Sequence, residues 1–346
     1  MIAASPPSDQ QNPAANAPAV LPRWQQALAQ AVTDPEELLA LLHLDPGLLP
    51  AAQTAAGLFP LRVPRGFVAR MQRGNPADPL LLQVLPLGLE LPDIPGFGAD
   101  PVGDIASRIA PGVLHKYQGR ALLIATGACG VHCRYCFRRH FPYAAETASS
   151  HHWQAALSAI RADRSIHEVI LSGGDPLSLN DRRLRELTRQ LEQIPHVRRL
   201  RIHSRQPIVL PERVDAGLLS WLRELRLQKV MVLHANHSRE LDHSVAEACR
   251  RLRDSGVTLL NQSVLLKGIN DSVGALTGLS ESLFAAGILP YYLHLLDRVQ
   301  GAAHFEVPEP QAQALLRQLA AALPGYLVPR LVREIPGHTS KTPVPF

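Results

Sequence analysis

The hydrophobic residues of the chain recur in short runs, and segments of roughly 10–17 residues with helical spacing separate these runs. Runs that are short, apolar and rich in Val, Ile and Leu are typical of strands buried on both faces. The six runs are Ala121–Thr126, Val169–Ser172, Leu200–His203, Val230–His234, Thr258–Leu266 and Tyr291–Leu296. Their alternation with helices predicts an α/β fold on a parallel sheet, and a further apolar segment, Tyr326–Ile335, is expected beside the last strand.

The N-terminal part of the chain follows a different pattern. Residues 1–22 are rich in Ala, Pro, Gln and Asn without periodicity, so we expect a disordered tail there. Amphipathic spacing predicts helices over Trp24–Val32 and Pro35–Leu42, and the Pro-rich stretch Leu85–Pro111 is expected to be an extended connection. The predicted divisions are the tail (1–22), a helical extension with its linker (23–104) and a main domain (105–346).

The net charge of +5 and the pI near 9.2 raise the question of a nucleic-acid partner. Arginines are spread through helical segments such as 182–189 and 250–253 without interleaved aromatic residues, so solvated helix faces explain them better. No stretch reaches the roughly 18 uninterrupted apolar residues of a membrane span, and the N-terminus lacks the pattern of a secretory signal. We therefore expect neither nucleic acid nor a membrane as a partner.

A cysteine cluster is the strongest chemical signal in the chain. Cys129, Cys133 and Cys136 lie close together, whereas Cys249 stands alone. Three thiolates at Cys-x3-Cys-x2-Cys spacing can bind one face of an iron–sulfur cluster and leave one iron open, because a full protein cage would supply four. A disulfide or a zinc site is the alternative, although zinc sites usually show a second Cys or Cys/His pair. An oxygen-sensitive cluster suits a reducing compartment, so we expect a cytoplasmic protein.

Polar residues follow almost every predicted strand. In parallel α/β barrels the carboxyl ends of the strands meet at one mouth, so these residues are expected to converge there. They are the cysteine loop, Gly173-Gly174-Asp175, His203-Ser204-Arg205, His234 with Asn236, and Asp297, whereas Asn261 with Gln262 lies inside the fifth run. Taken singly each signal is weak, since a tight turn with a capping Asp explains Gly173-Gly174-Asp175 equally well and a structural role explains each of the others.

A second candidate lies near the end of the sequence, in Arg333-Glu334-Ile335-Pro336-Gly337-His338-Thr339-Ser340-Lys341-Thr342-Pro343. A lysine on a Pro/Gly-framed loop beyond an apolar strand can point its amine into the mouth, where desolvation would lower its pKa and make it a nucleophile. On the residues alone, a solvated lysine on a C-terminal loop is the better explanation of Lys341.

Together the motifs resemble the lysine 2,3-aminomutases, a family of radical S-adenosylmethionine (SAM) enzymes. The resemblance runs from about Ala106 to Pro343 in a fixed order: Cys-x3-Cys-x2-Cys-x-Arg, Ser-Gly-Gly-Asp, Ser-Arg-x-Pro, His-x-Asn-His, Asn-Gln-Ser-Val, Tyr-Tyr with an Asp, and Pro-Gly-x3-Lys-x-Pro. Asp297–Phe305 and Ser340–Pro343 look most like the bacterial members that make (R)-β-lysine for the modification of elongation factor P.

This resemblance implies a partial (βα)6 TIM-like barrel with an N-terminal helical extension, and an isomerase that uses a 4Fe–4S cluster, SAM and pyridoxal 5′-phosphate (PLP). It places cluster ligation on Cys129, Cys133 and Cys136, and the covalent link to PLP on Lys341. It places Arg120 near PLP. The residues that it assigns to SAM are Gly173, Gly174, Asp175, Ser204, Arg205, His234, Asn236, Asn261 and Gln262.

For the substrate, the resemblance assigns the carboxylate of L-lysine to Arg138 and its distal ammonium to Asp297 and Glu334. It also implies an electron donor of the flavodoxin or ferredoxin type, and a functional link to elongation factor P and its lysyl-transferring enzyme. Two departures are visible. Glu334 is one methylene longer than the Asp usual in the family, and only five residues follow Lys341, so we do not expect assembly through the C-terminal extension of longer members.

Two rival functions remain open at this point. One is a related aminomutase that acts on glutamate or another amino acid, against which two carboxylates, Asp297 and Glu334, argue because they would repel an anionic side chain. The other is a non-catalytic iron–sulfur protein that binds a translation factor. The presence of Lys341 and of all three clustered cysteines argues against this second function.

Overall fold

The computed structural model of the chain describes residues 21–143 and 152–346. The tail predicted over residues 1–22 therefore lies almost entirely outside the described residues. Within the described part of the chain, no helix combines the length and the apolar character needed to cross a lipid bilayer.

A ten-stranded sheet forms the centre of the fold, and its strands lie side by side in the order of the sequence. The strands are β1 (Arg108–Ala110), β2 (Val113–Tyr117), β3 (Arg120–Thr126), β4 (Glu168–Gly173), β5 (Arg199–Ser204), β6 (Gln228–Leu233), β7 (Thr258–Val264), β8 (Leu289–His294), β9 (Arg330–Arg333) and β10 (Thr342–Pro343). β3 through β9 pair in parallel, and β1, β2 and β10 add antiparallel pairs at the two edges.

Helices connect each parallel strand to the next. After four N-terminal helices, α1 (Arg23–Ala29), α2 (Pro35–Leu41), α3 (Leu49–Leu58) and α4 (Arg65–Val68), the connecting helices are α5 (His152–Ala162), α6 (Asp181–Glu192), α7 (Gln206–Val209), α8 (Ala216–Glu224), α9 (His243–Asp254), α10 (Val273–Ala285) and α11 (Glu309–Ala322). Strand–helix units therefore run from β3 to α11, and β9 follows them. This confirms the predicted α/β class with a partial parallel barrel.

The two faces of the sheet differ in chemistry because successive side chains of a strand point to opposite sides. In β5, Leu200 and Ile202 are buried in the hydrophobic core beneath the helices. Arg201 and His203, which alternate with them, therefore point to the interior of the barrel. The barrel interior is consequently polar at these positions, which is unusual for a structural core and typical of a binding site.

The predicted strands overlap β3 to β8, and the apolar segment Tyr326–Ile335 contains β9. The stretch predicted as an extended connection differs, because it ends in β1, and β2 follows immediately. Pro111-Gly112 turns the chain between these two strands, with Gly112 at φ 76°. A Pro-Gly turn flanked by β-branched residues is a hairpin signal that the Pro-rich composition obscured.

The N-terminal helices pack onto the barrel through a hydrophobic core of their own. Trp24 of α1, Leu38 of α2 and Phe67 of α4 are buried in this core. It also contains Val131 of the cysteine loop and Val209 of α7. The helical extension therefore supports the loop that carries the clustered cysteines.

Candidate functional site

The cysteine loop follows β3 and is held by the N-terminal segment. The backbone N–H of His132 donates to the carbonyl of Arg62 (3.0 Å), and that of Arg134 donates to the carbonyl of Gln83 (3.0 Å). The side chain of Arg134 forms a buried ion pair with Glu90. These contacts hold the three cysteines together at the end of β3, whereas Cys249 is buried in α9.

The three cysteines are half-buried residues and form no disulfide. In the described ranges, no three His, Cys, Asp or Glu side chains converge on a position that would hold a single metal ion. Burial raises the pKa of Cys136 to about 11, so metal binding has to displace its proton.

The glycine segment after β4 packs directly against the cysteine loop. Gly174 N–H donates to the carbonyl of Thr126 (2.8 Å), and a Cβ on Gly174 would lie 2.5 Å from the carbonyl oxygen of Ala128. Gly173 adopts φ 114°, which an L side chain rarely tolerates. Both glycines are therefore required for the close approach of this backbone to the loop that precedes Cys129.

Asp175 is engaged within the protein. Its carboxylate accepts hydrogen bonds from Leu177 N (3.0 Å), Ser204 Oγ (2.8 Å), Arg205 N (2.8 Å) and Gln206 N (3.1 Å). It thereby ties the loop after β4 to the end of β5. Asp175 thus caps the short helix that follows it, which is the structural role that the sequence left open. Its predicted contact with SAM stays a prediction.

Several other residues predicted to contact SAM are also bonded to protein groups. Asn261 accepts from Ala235 N (2.9 Å) and donates to Ala235 O (3.0 Å), which ties β7 to the end of β6. Asn236 donates to Tyr135 Oη (2.7 Å) and accepts from Val264 N (2.8 Å). Gln262 pairs with Tyr292 in the sheet, but its side chain makes no hydrogen bond to a described residue.

Three histidines at the carboxyl ends of β5, β6 and β8 each have a buried imidazole nitrogen without a partner among the described residues. The Nε2 atoms of His203, His234 and His294 make no hydrogen bond within the described part of the chain. The rings of His203 and His234 lie edge to face, 5.7 Å apart. Burial lowers the pKa of His234 to about 3 and those of the other two well below their usual value, so all three are neutral. Buried polar atoms that lack a partner fit a cavity that a polar ligand fills.

Lys341 lies opposite Glu334 because β9 and β10 pair antiparallel. Thr342 is level with Arg333, so the next residues outward, Lys341 and Glu334, face each other across the hairpin. Lys341 Nζ donates to Glu334 Oε2 (2.8 Å). The structure thus brings the predicted PLP lysine and a predicted substrate carboxylate into direct contact.

Two residues that the sequence analysis missed extend this contact across the mouth. Lys116 of β2 donates to Glu334 Oε1 (2.9 Å) and forms an ion pair with Asp104 (2.5 Å). Asp104 in turn accepts from Arg138 Nε (2.7 Å), and Arg138 Nη1 donates to Ser172 Oγ (3.1 Å). Positive and negative charges therefore alternate along five side chains, which we call the ion chain: Lys341, Glu334, Lys116, Asp104 and Arg138.

Asp297 stands apart from the ion chain. Its carboxylate has no hydrogen bond or ion pair to any described residue. Burial, followed by the negative charge of Glu334, raises the pKa of Asp297 to about 7. Burial would raise the pKa of Glu334 as well, but the ammonium groups of Lys341 and Lys116 hold it well below its usual range. Glu334 is therefore ionised and paired with two cations, whereas Asp297 is partly protonated and has no ion pair with a described residue.

Arg120 lies at the opposite end of β3 from the cysteine loop. Its guanidinium lies 4.7 Å from the centroid of the Tyr117 ring. Arg330, which begins β9, pairs with Tyr292 of β8. Burial raises the pKa of Tyr292 to about 12, and the positive charges of Arg330 and Arg120 act against that rise. Two cations are thus close to one interior tyrosine at the base of the barrel, a setting that fits a phosphate group.

Comparison with known proteins gives the following likenesses. Residues 118–199 match a family described as a 4Fe-4S single cluster domain. An L-lysine 2,3-aminomutase of Escherichia coli (strain K12) is 52% identical over 93% of this chain and 94% of its own length. One of Haemophilus influenzae is 48% identical over 92% of this chain and 94% of its own length. A solved radical SAM methyltransferase from Sphaerobacter thermophilus is 16% identical, with a TM-score of 0.45 over 64% of this chain and 68% of that one.

The placement of the cysteines leads to a first prediction. Anaerobically reconstituted protein is expected to hold about four irons and four sulfides per chain. Cys133→Ala should abolish this content, because a loop with two thiolates cannot retain the cluster. Cys249→Ala is the matched control and should keep it, since Cys249 is buried in α9 away from the loop. Iron and sulfide analysis with the visible spectrum measures both; loss of iron in Cys249→Ala with retention in Cys133→Ala would contradict the ligand assignment.

Proposed function

The chain belongs to the L-lysine 2,3-aminomutase family of radical SAM isomerases, and on that premise we propose that it moves the α-amino group of L-lysine from C2 to C3 to give (R)-β-lysine. Its cofactors are a 4Fe–4S cluster, SAM and PLP. The observation that carries the substrate proposal is Asp297, a carboxylate inside the site without a cationic partner among the described residues. A substrate with a distal ammonium supplies that partner.

The cofactors supply the radical that removes a hydrogen atom from the substrate and the conjugated system that lets the nitrogen migrate. The residues of the chain supply binding and orientation. We propose that Cys129, Cys133 and Cys136 ligate the cluster. Lys341, at the end of the β9–β10 hairpin, forms the covalent link to PLP, and Arg120 binds its phosphate.

For SAM, we propose contacts with Gly173, Gly174, His234 and Gln262. The two glycines offer backbone groups beside the cysteine loop, and the two side chains have polar atoms without a protein partner. In this proposal four further residues support the contacting groups and do not touch SAM themselves: Asp175, Ser204, Asn236 and Asn261. Their hydrogen bonds fix the loops after β4, β5 and β6 and so keep the contacting groups in position.

Arg138 is proposed to bind the substrate carboxylate. Asp104 and Ser172 occupy Nε and one hydrogen of Nη1, which fixes the plane of the guanidinium. Nη2 has no partner among the described residues, so the outer edge of the guanidinium can bind a carboxylate in a paired arrangement. Lys116 contributes indirectly, because it neutralises the other oxygen of Asp104.

Glu334 is proposed to share the distal ammonium with Asp297 only after Lys341 has reacted. In the structure Glu334 pairs with Lys341 and Lys116. A lysine nitrogen that is covalently linked to PLP would no longer pair with a carboxylate as a free ammonium does. Glu334 then lacks one of its two cations, and the ammonium of the substrate replaces it.

A glutamate aminomutase is the rival that this geometry disfavours. A distal carboxylate would enter a site that already contains Asp297 and Glu334, and like charges in a desolvated site repel strongly. The cation that could compensate, Lys116, is already shared between Glu334 and Asp104.

The proposed activity is tested by a product assay under anaerobic conditions. Reconstituted protein with SAM, PLP and dithionite receives L-lysine or L-glutamate, and the amino acids are separated by chiral chromatography with mass detection. β-Lysine is the expected product. Lys341→Ala is the matched control and should form none while it still holds its cluster. β-Glutamate as the main product would overturn the substrate assignment.

The raised pKa of Asp297 predicts a pH dependence of lysine binding. Asp297 is increasingly protonated below its pKa of about 7, so the KM for lysine should rise as the pH falls from about 8 to about 6. The buried histidines do not titrate in this window because their pKa values lie far lower.

Asp297→Asn tests the source of that dependence. The substitution should raise the KM for lysine by about a hundredfold, because the ammonium then lacks a charged partner, and it should flatten the pH profile. The cluster and PLP spectra should not change. A wild-type KM that is constant over this pH range, or an unchanged profile in Asp297→Asn, would show that Asp297 does not bind the ammonium.

We also propose that the product serves the modification of elongation factor P in the cytoplasm, with electrons from a flavodoxin or ferredoxin. The resemblance of Asp297–Phe305 and Ser340–Pro343 to members with this role supports it. Because α-lysine and β-lysine have the same mass, the test releases the residue attached to the factor by its lysyl-transferring enzyme and separates the isomers. β-Lysine is expected with the wild type and α-lysine alone with Lys341→Ala; α-lysine alone with the wild type would contradict the link.

A further inference from the structure

A buried polar cluster connects the N-terminal segment to the cysteine loop, away from the ion chain. Gln83 and Glu240 are fully buried, and Arg205 is 5% exposed. The guanidinium of Arg205 lies between two aromatic rings, with Cζ 5.6 Å from the centroid of Phe67 and 5.6 Å from that of Tyr135. Phe67 belongs to α4 of the N-terminal segment, and Tyr135 lies between two of the clustered cysteines.

Arg205 donates hydrogen bonds in three directions. Its Nη1 donates to Cys133 Sγ (2.8 Å), and its Nη2 donates to Gln83 Oε1 (2.6 Å) and to Glu240 Oε2 (3.0 Å). The guanidinium is planar and its donors have fixed directions, so these three partners together determine its position.

Glu240 is itself fixed. Its Oε1 accepts from Asn236 N (2.9 Å), His237 N (3.1 Å) and Gln83 Nε2 (3.0 Å). If Arg205 turned toward the barrel mouth, Glu240 would remain as a buried carboxylate without its cation, which is strongly unfavourable. Arg205 is therefore held against the cysteine loop.

We propose that Arg205 is a positioning residue that sets the reduction potential of the iron–sulfur cluster through its hydrogen bond to the sulfur of Cys133, and that the N-terminal segment holds it there through Gln83 and Phe67. The inference rests on the proposed ligation of the cluster by Cys133. It gives Arg205 a role through the cluster instead of a direct contact with SAM.

The sign of the effect follows from charge. Reduction adds one electron to the cluster, and a cationic donor on a ligating sulfur stabilises the more negative, reduced form. Arg205 therefore raises the potential, which makes the cluster easier to reduce. Glu240 offsets part of that charge and acts in the opposite direction.

The experiment measures the midpoint potential of the reconstituted cluster by an EPR-monitored titration with dithionite. Arg205→Gln should lower the potential, and Glu240→Gln should raise it. Arg213→Gln is the matched control. Arg213 is also a buried arginine that contacts the N-terminal segment, through Trp24, but its hydrogen bonds go to Leu177, Leu179 and Asp181. The midpoint potential of the cluster in Arg213→Gln should equal that in the wild type.

Opposite shifts in the two variants at full iron content support the proposal, because loosened packing would not reverse its sign. Equal potentials in wild type, Arg205→Gln and Glu240→Gln overturn it, as does a shift of the same size in Arg213→Gln. If one of the two variants loses its iron, the direction in which the midpoint potential of the other variant shifts decides whether the proposal holds. Failure of the wild type itself to hold a 4Fe–4S cluster would instead refute the proposed ligand set, so the two failures are distinguishable.

Discussion

The site depends on the pairing of charges inside a barrel, where water screens them only weakly. Isolated charges are expensive in such an interior, so each has to meet an opposite one. The ion chain meets this requirement by alternation: Glu334 lies between Lys341 and Lys116, and Asp104 lies between Lys116 and Arg138. The order places the lysine proposed to bind PLP at one end and the arginine proposed to bind the substrate carboxylate at the other. Because neighbouring members of the ion chain share partners, a change of charge at either end alters the pairing of the next member.

The N-terminal segment solves a different problem, which is how to hold an irregular loop. The cysteine loop has no regular secondary structure to satisfy its backbone groups, so it needs partners from elsewhere. Arg62 and Gln83 of the N-terminal segment accept from its amides, and Glu90 pairs with Arg134. The same segment fixes Arg205 beside Cys133 through Gln83. Support of the loop and control of its charge environment thus come from one packed element, although the boundary predicted at residue 104 remains a prediction.

Much of the barrel could be predicted because buried strands and amphipathic helices produce strong periodic patterns. β1 and β2 could not, since β1 is three residues long and largely exposed and therefore carries no apolar run. The clustered cysteines were singled out by their spacing, and Lys341 was assigned its role by resemblance alone. Lys116, Asp104 and His294 were missed because a single charged or polar residue shows no pattern in sequence. Their importance comes from contacts between strands far apart in the chain, such as that between Lys116 and Glu334.

Asp297 and Glu334 differ in charge state because the longer side chain of Glu334 contacts two lysines. Glu334 has one methylene more than an aspartate, and its two oxygens each bind a different lysine at 2.8 Å and 2.9 Å. An aspartate at this position would draw its carboxylate back by one bond and could not keep both contacts without movement of the backbone. With both cations bound, Glu334 stays ionised, while its negative charge helps to keep the neighbouring Asp297 partly protonated. A cation that enters beside Asp297 would displace a proton and meet a carboxylate that has no ion pair with a described residue, so the proposed selection of a distal ammonium follows from how the protein pairs its other charges.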